Sequence, residues 1–251
     1  MPSGSPTTRL ALARPLLASG LALAACAGHD AGAPALDERL ESARRPAAAL
    51  VDAAPHTWPE AVDAVLAAGV ASPARALLDA VTRHPAGAGA ECAVALAARC
   101  GAREVESELS ALLAAGEPRV PPLLGARVAA ALGTLDSPTA VDALTRAMDS
   151  RALAPLVRTA AAAALLDRGR RGDVPRFLGA VLLAGTPAGI AESTRLGLPD
   201  KARWAHERLL AIEAIVRASG GEDFGLHHDA SWPALEIGTA RMLAFFTAGP
   251  R

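Results

Sequence analysis

The sequence ARVAAALG at residues 126–133 returns as VRTAAAAAL at residues 157–165. The two copies are in phase through Ala131-Leu132 and Ala164-Leu165, which are 33 residues apart. Each copy is followed, at the same spacing of 33, by an apolar stripe with i, i+3, i+7 periodicity: Val141, Leu144 and Met148, then Val174, Phe177 and Val181. A period of this length with two helices in it is typical of stacked helix pairs and not of one closed core.

Upstream the same periodicity continues more loosely, because Leu77-Leu78 precedes Leu112-Leu113 by 35 residues. No segment shows the sustained alternation of a strand. Glycines, prolines and capping residues divide the chain into predicted helices near 36–52, 58–68, 73–84, 90–100, 102–115, 121–134, 138–149, 155–168, 173–184, 200–219 and 232–247. We therefore predict an all-α chain, an α-solenoid of about five stacked antiparallel helix pairs.

Five helix starts carry recognisable capping chemistry. Thr57 and Glu60 have the spacing of a capping box, and Ser137-Pro138 places a hydroxyl before a proline at the first helical position. Ser72-Pro73 has the same arrangement as Ser137-Pro138. Asp173 and Asp200 are predicted to cap the helices that follow them.

These repeats resemble short HEAT repeats of the kind found in phycobilin-lyase-type proteins. The resemblance is good over residues 120–185, weaker over 57–118, and limited to helical character after 200. It implies HEAT-like repeats over 36–199 and a C-terminal helix pair, 200–251, that caps the stack. It also implies that first helices line the convex side and second helices the concave side.

The N-terminus has the layout of a secretory signal peptide. Arg9 and Arg14 precede ten apolar or small residues, 16–25, a run too short to span a bilayer as a helix. A transmembrane anchor, or an ordinary signal with an accidental cysteine, is the alternative.

Leu23-Ala24-Ala25-Cys26 resembles the lipobox of bacterial lipoproteins. That resemblance implies removal of residues 1–25 and lipidation of Cys26, followed by a tether over 26–35. The chain would be exported and held in the bacterial cell envelope by its lipid. Ala27 stands where lipoproteins retained in the inner membrane usually carry Asp, which favours the outer membrane.

The composition argues against a nucleic-acid partner. The chain has 25 basic and 26 acidic residues, and residues 1–25 contain two arginines and no acid, so the mature balance is 23 minus 26, or −3. Binding to phosphate backbones needs a concentrated basic face. Cys92 and Cys100, eight residues apart in one predicted helix, are too distant to form a disulfide and are interpreted as packing residues.

Coordinating side chains are densest near the C-terminus, at His206, Glu207, His227, His228 and Asp229. A metal site, or an enzyme or small-ligand protein built on this group, is the alternative hypothesis. Leu210 occupies the place of the second histidine of a His-Glu-x-x-His motif. HEAT-type iron hydroxylases use several His-Glu pairs where this chain has one. We expect a histidine cap and a polar loop, with no metal, no other cofactor and no catalytic residue.

Partner-binding candidates fall into two groups. Asp142, Arg146 and Arg176 lie off the apolar stripe of the second helices, where a partner in the concave groove would meet them. Trp204 and Trp232 are candidates only if both are exposed. The C-terminal aromatic residues are otherwise interpreted as cap packing: Trp204, Phe224, Trp232, Phe245 and Phe246.

Charged residues also recur near the repeats: Arg127 and Arg158, with Asp136 and Asp167 beyond them. We interpret these residues as forming salt bridges and caps between repeats. The predicted function is that of a lipid-anchored scaffold for protein partners, and not of an enzyme.

Overall fold

The computed structural model describes residues 36–68, 73–198, 205–227 and 229–248. These ranges contain helices and turns and no strand, which confirms the all-α class. The helices are α1 (Leu36–Asp52), α2 (Trp58–Ala67), α3 (Ala74–Arg83), α4 (Ala90–Gly101), α5 (Glu106–Ala115), α6 (Pro122–Gly133), α7 (Pro138–Asp149), α8 (Pro155–Asp167), α9 (Val174–Leu183), α10 (Ile190–Arg195), α11 (Ala205–Ala218) and α12 (Trp232–Ala248). The described residues all belong to one compact unit.

Most predicted helix bounds are correct within one or two residues, with two exceptions. The helix predicted to begin at 102 begins at Glu106, because Ala102–Val105 forms a 3₁₀ turn after Gly101. The helix α10 was not predicted, since six residues are too few to establish a period. Residues 200–204 of the predicted helix 200–219 lie outside the described ranges.

The predicted caps differ in outcome. Ser137 is a true N-cap: its hydroxyl accepts hydrogen bonds from the N–H groups of Thr139 (3.1 Å) and Ala140 (3.3 Å). The capping box at Thr57 is wrong, because that hydroxyl donates backward to the carbonyl oxygen of Ala54 at 2.9 Å. Asp173 occupies the N-cap position of α9, but its side chain makes no capping hydrogen bond. Ser72 and Asp200 lie outside the described residues.

The helix α8 is the most enclosed element among the described residues. Its ten residues Val157 to Leu166 are all buried. The surrounding helices α6, α7, α9 and α11 all contact it. A helix packed on every side has no polar face, which agrees with the continuous apolar run from Ala160 to Leu166, five alanines followed by two leucines.

The contact between α6 and α8 is close enough to leave no room for a methyl group at two glycine positions of α6 unless a neighbour shifts. A Cβ built on Gly133 would lie 2.7 Å from the Cβ of Ala164, and one on Gly125 would lie 2.8 Å from Cγ2 of Val157. Small side chains allow helix axes to approach toward the lower end of the usual separation. The small side chains at these positions therefore permit the close approach of α6 and α8.

Arg158 is the one charged residue in the buried part of α8, and its side chain is 2% exposed. Its guanidinium donates to the carbonyl oxygens of Met148 (2.9 Å), Leu196 (2.8 Å) and Gly197 (3.4 Å), and it lies 5.2 Å from the ring centroid of Phe177. Burial lowers the pKa of Arg158. The arginine supplies donors to carbonyls at the ends of α7 and α10, where backbone acceptors have no partner within their own helix.

Aspartates after α6 and α8 bind arginines that come later in the chain. Arg168 pairs with Asp136 at 3.1 Å, and Arg217 pairs with Asp167 at 2.9 Å. The predicted salt bridges therefore involve Asp136 and Asp167 as expected, but not Arg127 and Arg158. Arg127 is exposed and Arg158 binds backbone carbonyls.

The start of α4 lies directly against the end of α1. The N–H of Gly89 donates to the carbonyl oxygen of Val51 at 2.8 Å. A Cβ at Gly89 would overlap the carbonyl oxygen of Leu50, so no other residue fits there without moving the backbone. A backbone hydrogen bond therefore joins the first described helix to α4, across a gap of 38 residues between positions 51 and 89.

We expect Ala161→Leu to destabilise the protein by about 1–3 kcal/mol, because three extra carbon atoms must enter the closed space around α8. Ala161 is fully buried. Ala130→Leu on α6 is the matched control, since Ala130 is exposed and the same change there should cost less than about 0.5 kcal/mol. Urea denaturation measures both free energies of unfolding, and equal values would show that α8 is not tightly packed.

We expect Arg158→Met to cost about 2–4 kcal/mol, because the carbonyl oxygens of Met148 and Leu196 lose their donor in a buried site. Arg158→Lys should recover less than half of this, since an ammonium group cannot reproduce the planar fork. Arg127→Met, at an exposed position of α6, is the control. Thermal and urea unfolding of the three variants measure the loss of stability. Full recovery by lysine would show that the planar guanidinium group of Arg158 is not what stabilises these carbonyl groups.

Candidate functional site

The outward surface of α7 forms an open depression of about 450 Å³, which we call the α7 depression. It is lined by Asp142, Thr145, Arg146, Asp149 and Ser150. Two of the residues predicted to bind a partner, Asp142 and Arg146, thus lie together in one concavity. The third predicted residue, Arg176, is not part of it.

The sequence of α7 explains why these side chains point outward. Leu144, Ala147 and Met148 are buried on the opposite side, and the Ser137 cap fixes where the helix begins. The Ser137 hydroxyl also donates to a carboxylate oxygen of Glu106 at 2.5 Å, which ties the start of α7 to the start of α5. The depression is therefore carried by a helix with a defined start and a packed inner face.

The chemistry of the α7 depression is that of polar recognition. Asp142 and Arg146 are exposed, and neither makes a hydrogen bond or ion pair with another described residue. Thr145 donates its hydroxyl proton to the carbonyl oxygen of Val141 at 2.8 Å, so it is not poised as a nucleophile. Carboxylate and guanidinium groups on an open surface can bind charged side chains of a partner.

Arg176 is exposed on α9 and is held by Glu192 of α10, whose carboxylate accepts its Nε–H at 2.8 Å. Glu192 also accepts two hydrogen bonds from Arg195. The hydrogen bonds from Arg195, together with those from Arg176, lower the pKa of Glu192 to about 2. Arg176 is therefore available to a partner only in competition with this carboxylate.

The C-terminal coordinating residues do not converge in the structure. His206 is exposed at the start of α11, and His227 is exposed in the loop before α12, 4.0 Å from a carboxylate oxygen of Asp223. Glu207 is half-buried and Asp229 is exposed, while His228 lies outside the described residues. Among the described residues, no group of three or more His, Cys, Asp or Glu side chains is arranged to hold a metal ion.

The C-terminal aromatic residues form a packed cluster. The ring centroids of Phe224 and Phe245 are 5.3 Å apart, and those of Phe245 and Phe246 are 5.1 Å apart. Phe224 and Phe246 are buried, as cap packing requires. Trp232 is 51% exposed and does not join the cluster, whereas Trp204 lies outside the described residues.

Both cysteines of the helical region are free, and they lie on one continuous helix, α4, as predicted. Cys92 and Cys100 are half-buried against the core. Burial raises the pKa of each thiol, which disfavours the reactive thiolate. They act as packing residues.

A second depression, which the sequence did not predict, lies between α1 and α3 and measures about 650 Å³. We call it the α1–α3 groove; its lining is Arg44, Arg45, Ala48, Asp79, Thr82 and Arg83. The adjacent arginines of α1, Arg44 and Arg45, are visible in the sequence as a local concentration of positive charge. Their proximity to Arg83, 38 residues beyond Arg45, required the tertiary fold.

Comparisons with protein families, with curated proteins and with solved structures find no match to this chain. Among the described helices, none is both long enough and apolar enough to cross a membrane. The proposed lipidation site, Cys26, lies outside the described residues. The functional proposal rests on the geometry of the described helices and on the N-terminal sequence.

We expect the stabilisation from Glu192 to depend on pH in a defined direction. Because its folded pKa is depressed to about 2 from an ordinary value of 4.5, the contribution is complete above pH 4.5 and is lost as the pH falls toward 2. Glu192→Gln should therefore lower the free energy of unfolding at neutral pH, with a difference that shrinks on acidification. Urea titrations at several pH values measure this.

Glu213→Gln on α11 is the matched control, because Glu213 is exposed and makes no ion pair with a described residue. It should change stability little at any pH. If the deficit of Glu192→Gln were the same from neutral to acidic pH, the ion pairs to Arg195 and Arg176 would not be its source.

Proposed function

We propose that this protein is an exported bacterial lipoprotein whose helices form a HEAT-like α-solenoid that binds a protein partner in the cell envelope. Residues 1–25 are the signal peptide, Cys26 carries the lipid, and residues 26–35 are the tether. The proposal assigns the protein no reaction of its own and no cofactor. Its role is to hold a partner-binding surface at a membrane.

The observation that carries the solenoid is the order of helix contacts. The helices α1, α4, α6, α8 and α11 form one series in which each contacts the next. In a second series α3 contacts α5 and α5 contacts α7, while α9 contacts α12. Repeated pairs that contact only their neighbours produce this order, because no pair can bury its apolar side alone.

The α7 depression is the surface best suited to a partner. It belongs to the second series of helices, which the HEAT resemblance assigns to the concave side. It offers Asp142 and Arg146 without internal partners, so both charges are free to pair with complementary groups. An exposed charge pair of this kind favours specificity and rate of association more than affinity.

The N-terminal sequence supports the anchor. The apolar stretch 16–25 ends at the lipobox-like Leu23-Ala24-Ala25-Cys26, ten residues before α1 begins at Leu36. Two or more acyl chains on Cys26 would hold the protein durably, because each buried methylene contributes about 0.8 kcal/mol. Ala27 favours the outer membrane as the destination.

Site-specific photo-crosslinking in living cells tests the proposal. A photoreactive residue at Thr145, inside the α7 depression, should give one adduct of discrete mass, and Asp142→Arg in the same chain should abolish it. The probe at Ala130, exposed on α6 of the other series, is the control and should give no such adduct. Adducts of equal yield at both positions would contradict a partner surface on α7.

The anchor is tested separately by membrane fractionation. The wild-type chain should remain with membranes through high-salt washing, and a density gradient should place it with the outer membrane. Cys26→Ala should release it to the soluble fraction. Retention of Cys26→Ala equal to that of the wild type would argue against lipid anchoring and for the signal sequence as the membrane anchor.

A further inference from the structure

The α1–α3 groove is a local concentration of positive charge on an acidic protein. Three guanidinium groups and one carboxylate line it, whereas the mature chain has 23 basic and 26 acidic residues. Arg44, Arg45 and Arg83 are all exposed, and Asp79 is half-buried. A surface of this sign is attracted to anions that the rest of the protein repels.

Two of these arginines have guanidinium N–H groups that bind no other described residue. Arg45 makes no hydrogen bond or ion pair with another described residue. Arg83 uses only its Nε–H, which donates to the carbonyl oxygen of Asp79 at 3.1 Å within its own helix. The terminal nitrogens of both guanidinium groups are thus free to bind phosphate oxygens, which arginine recognises with paired hydrogen bonds.

The groove lies at the end of the chain nearest the proposed anchor. Ten residues separate Cys26 from Leu36, and a tether of that length reaches at most about 35 Å. Arg44 and Arg45 follow eight and nine residues into α1, which is about 12–14 Å along the helix axis. The membrane is therefore the extended anionic surface that the tether keeps within reach of the groove.

We propose that the α1–α3 groove docks onto the anionic phospholipid headgroups of the membrane that holds the lipid anchor. This rests on the proposed anchoring at Cys26 and adds a second, electrostatic contact to it. A lipid chain and a basic patch acting together bind a membrane more firmly than either alone. Because the groove is rigidly part of α1 and α3, the contact also fixes which side of the protein faces the bilayer.

Lipid vesicles test this with the full chain carrying Cys26→Ser, which separates the groove from lipidation. Vesicles of phosphatidylethanolamine with phosphatidylglycerol should bind it, and phosphatidylcholine vesicles, which carry no net charge, should bind it weakly and equally for every variant. Arg45→Gln/Arg83→Gln should lower partitioning into the anionic vesicles by about 30-fold at low salt, the equivalent of two charges. Added salt should reduce the difference.

Arg119→Gln/Arg241→Gln is the matched control, because both residues are exposed, lie outside the groove and change the net charge equally. Asp79→Asn should tighten binding several-fold, since it removes the single carboxylate that lines the groove. A gain of affinity cannot be explained by loss of the folded structure, so this variant tests the proposal independently of folding. Circular dichroism verifies that each variant is helical.

Equal partitioning of the groove variant and the control variant would overturn the proposal. So would tighter binding of polyglutamate than of the anionic vesicles, which would assign the groove to an acidic protein segment. Neither result bears on lipidation, because the chain tested lacks Cys26. Conversely, membrane retention of Cys26→Ala in cells would refute the anchor and leave the vesicle measurement valid.

Discussion

The rest of the described fold depends on the close packing of α8 against four neighbouring helices, and five consecutive alanines, residues 160–164, lie at the centre of that helix. Its neighbours α6, α7, α9 and α11 all depend on its width, since Gly133 of α6 leaves no room for a methyl group opposite Ala164. The run of alanines therefore sets how closely successive helices approach. The α7 depression is carried by one of the four helices that pack against α8.

The same constraint explains the unusual place of Arg158. A buried helix passes the ends of its neighbours, and those ends carry carbonyl groups without a partner in their own helix. Arg158 provides their donors, and its charge is favoured by the helix C-termini together with the carboxylate of Asp149. Arg127, in the preceding repeat, lies 31 residues before Arg158 and not the 33 of the repeat, and it is exposed, so the two arginines are not at equivalent positions and meet different environments.

Helix bounds and one helix cap were predictable from the sequence, because they depend on neighbouring residues. Contacts between residues that are far apart in the chain were not. Glycine and proline determined most helix bounds, and Ser137-Pro138 gave the start of α7. Thr57 satisfies the same kind of pattern, yet its hydroxyl donates backward to the carbonyl oxygen of Ala54 and accepts no capping hydrogen bond. Asp142 and Arg146 are near in sequence and were predicted together. The α1–α3 groove unites residues that only the packing of two helices brings together.

The bond from Gly89 to Val51 has a mechanical consequence. Any tension applied at the N-terminal end of α1 reaches that helix first, and a terminal helix held only by side chains would peel away under such a load. Here the last turn of α1 is fastened to the first turn of α4 through the backbone. The pull is therefore shared with α4, and α1 resists being separated from the other described helices.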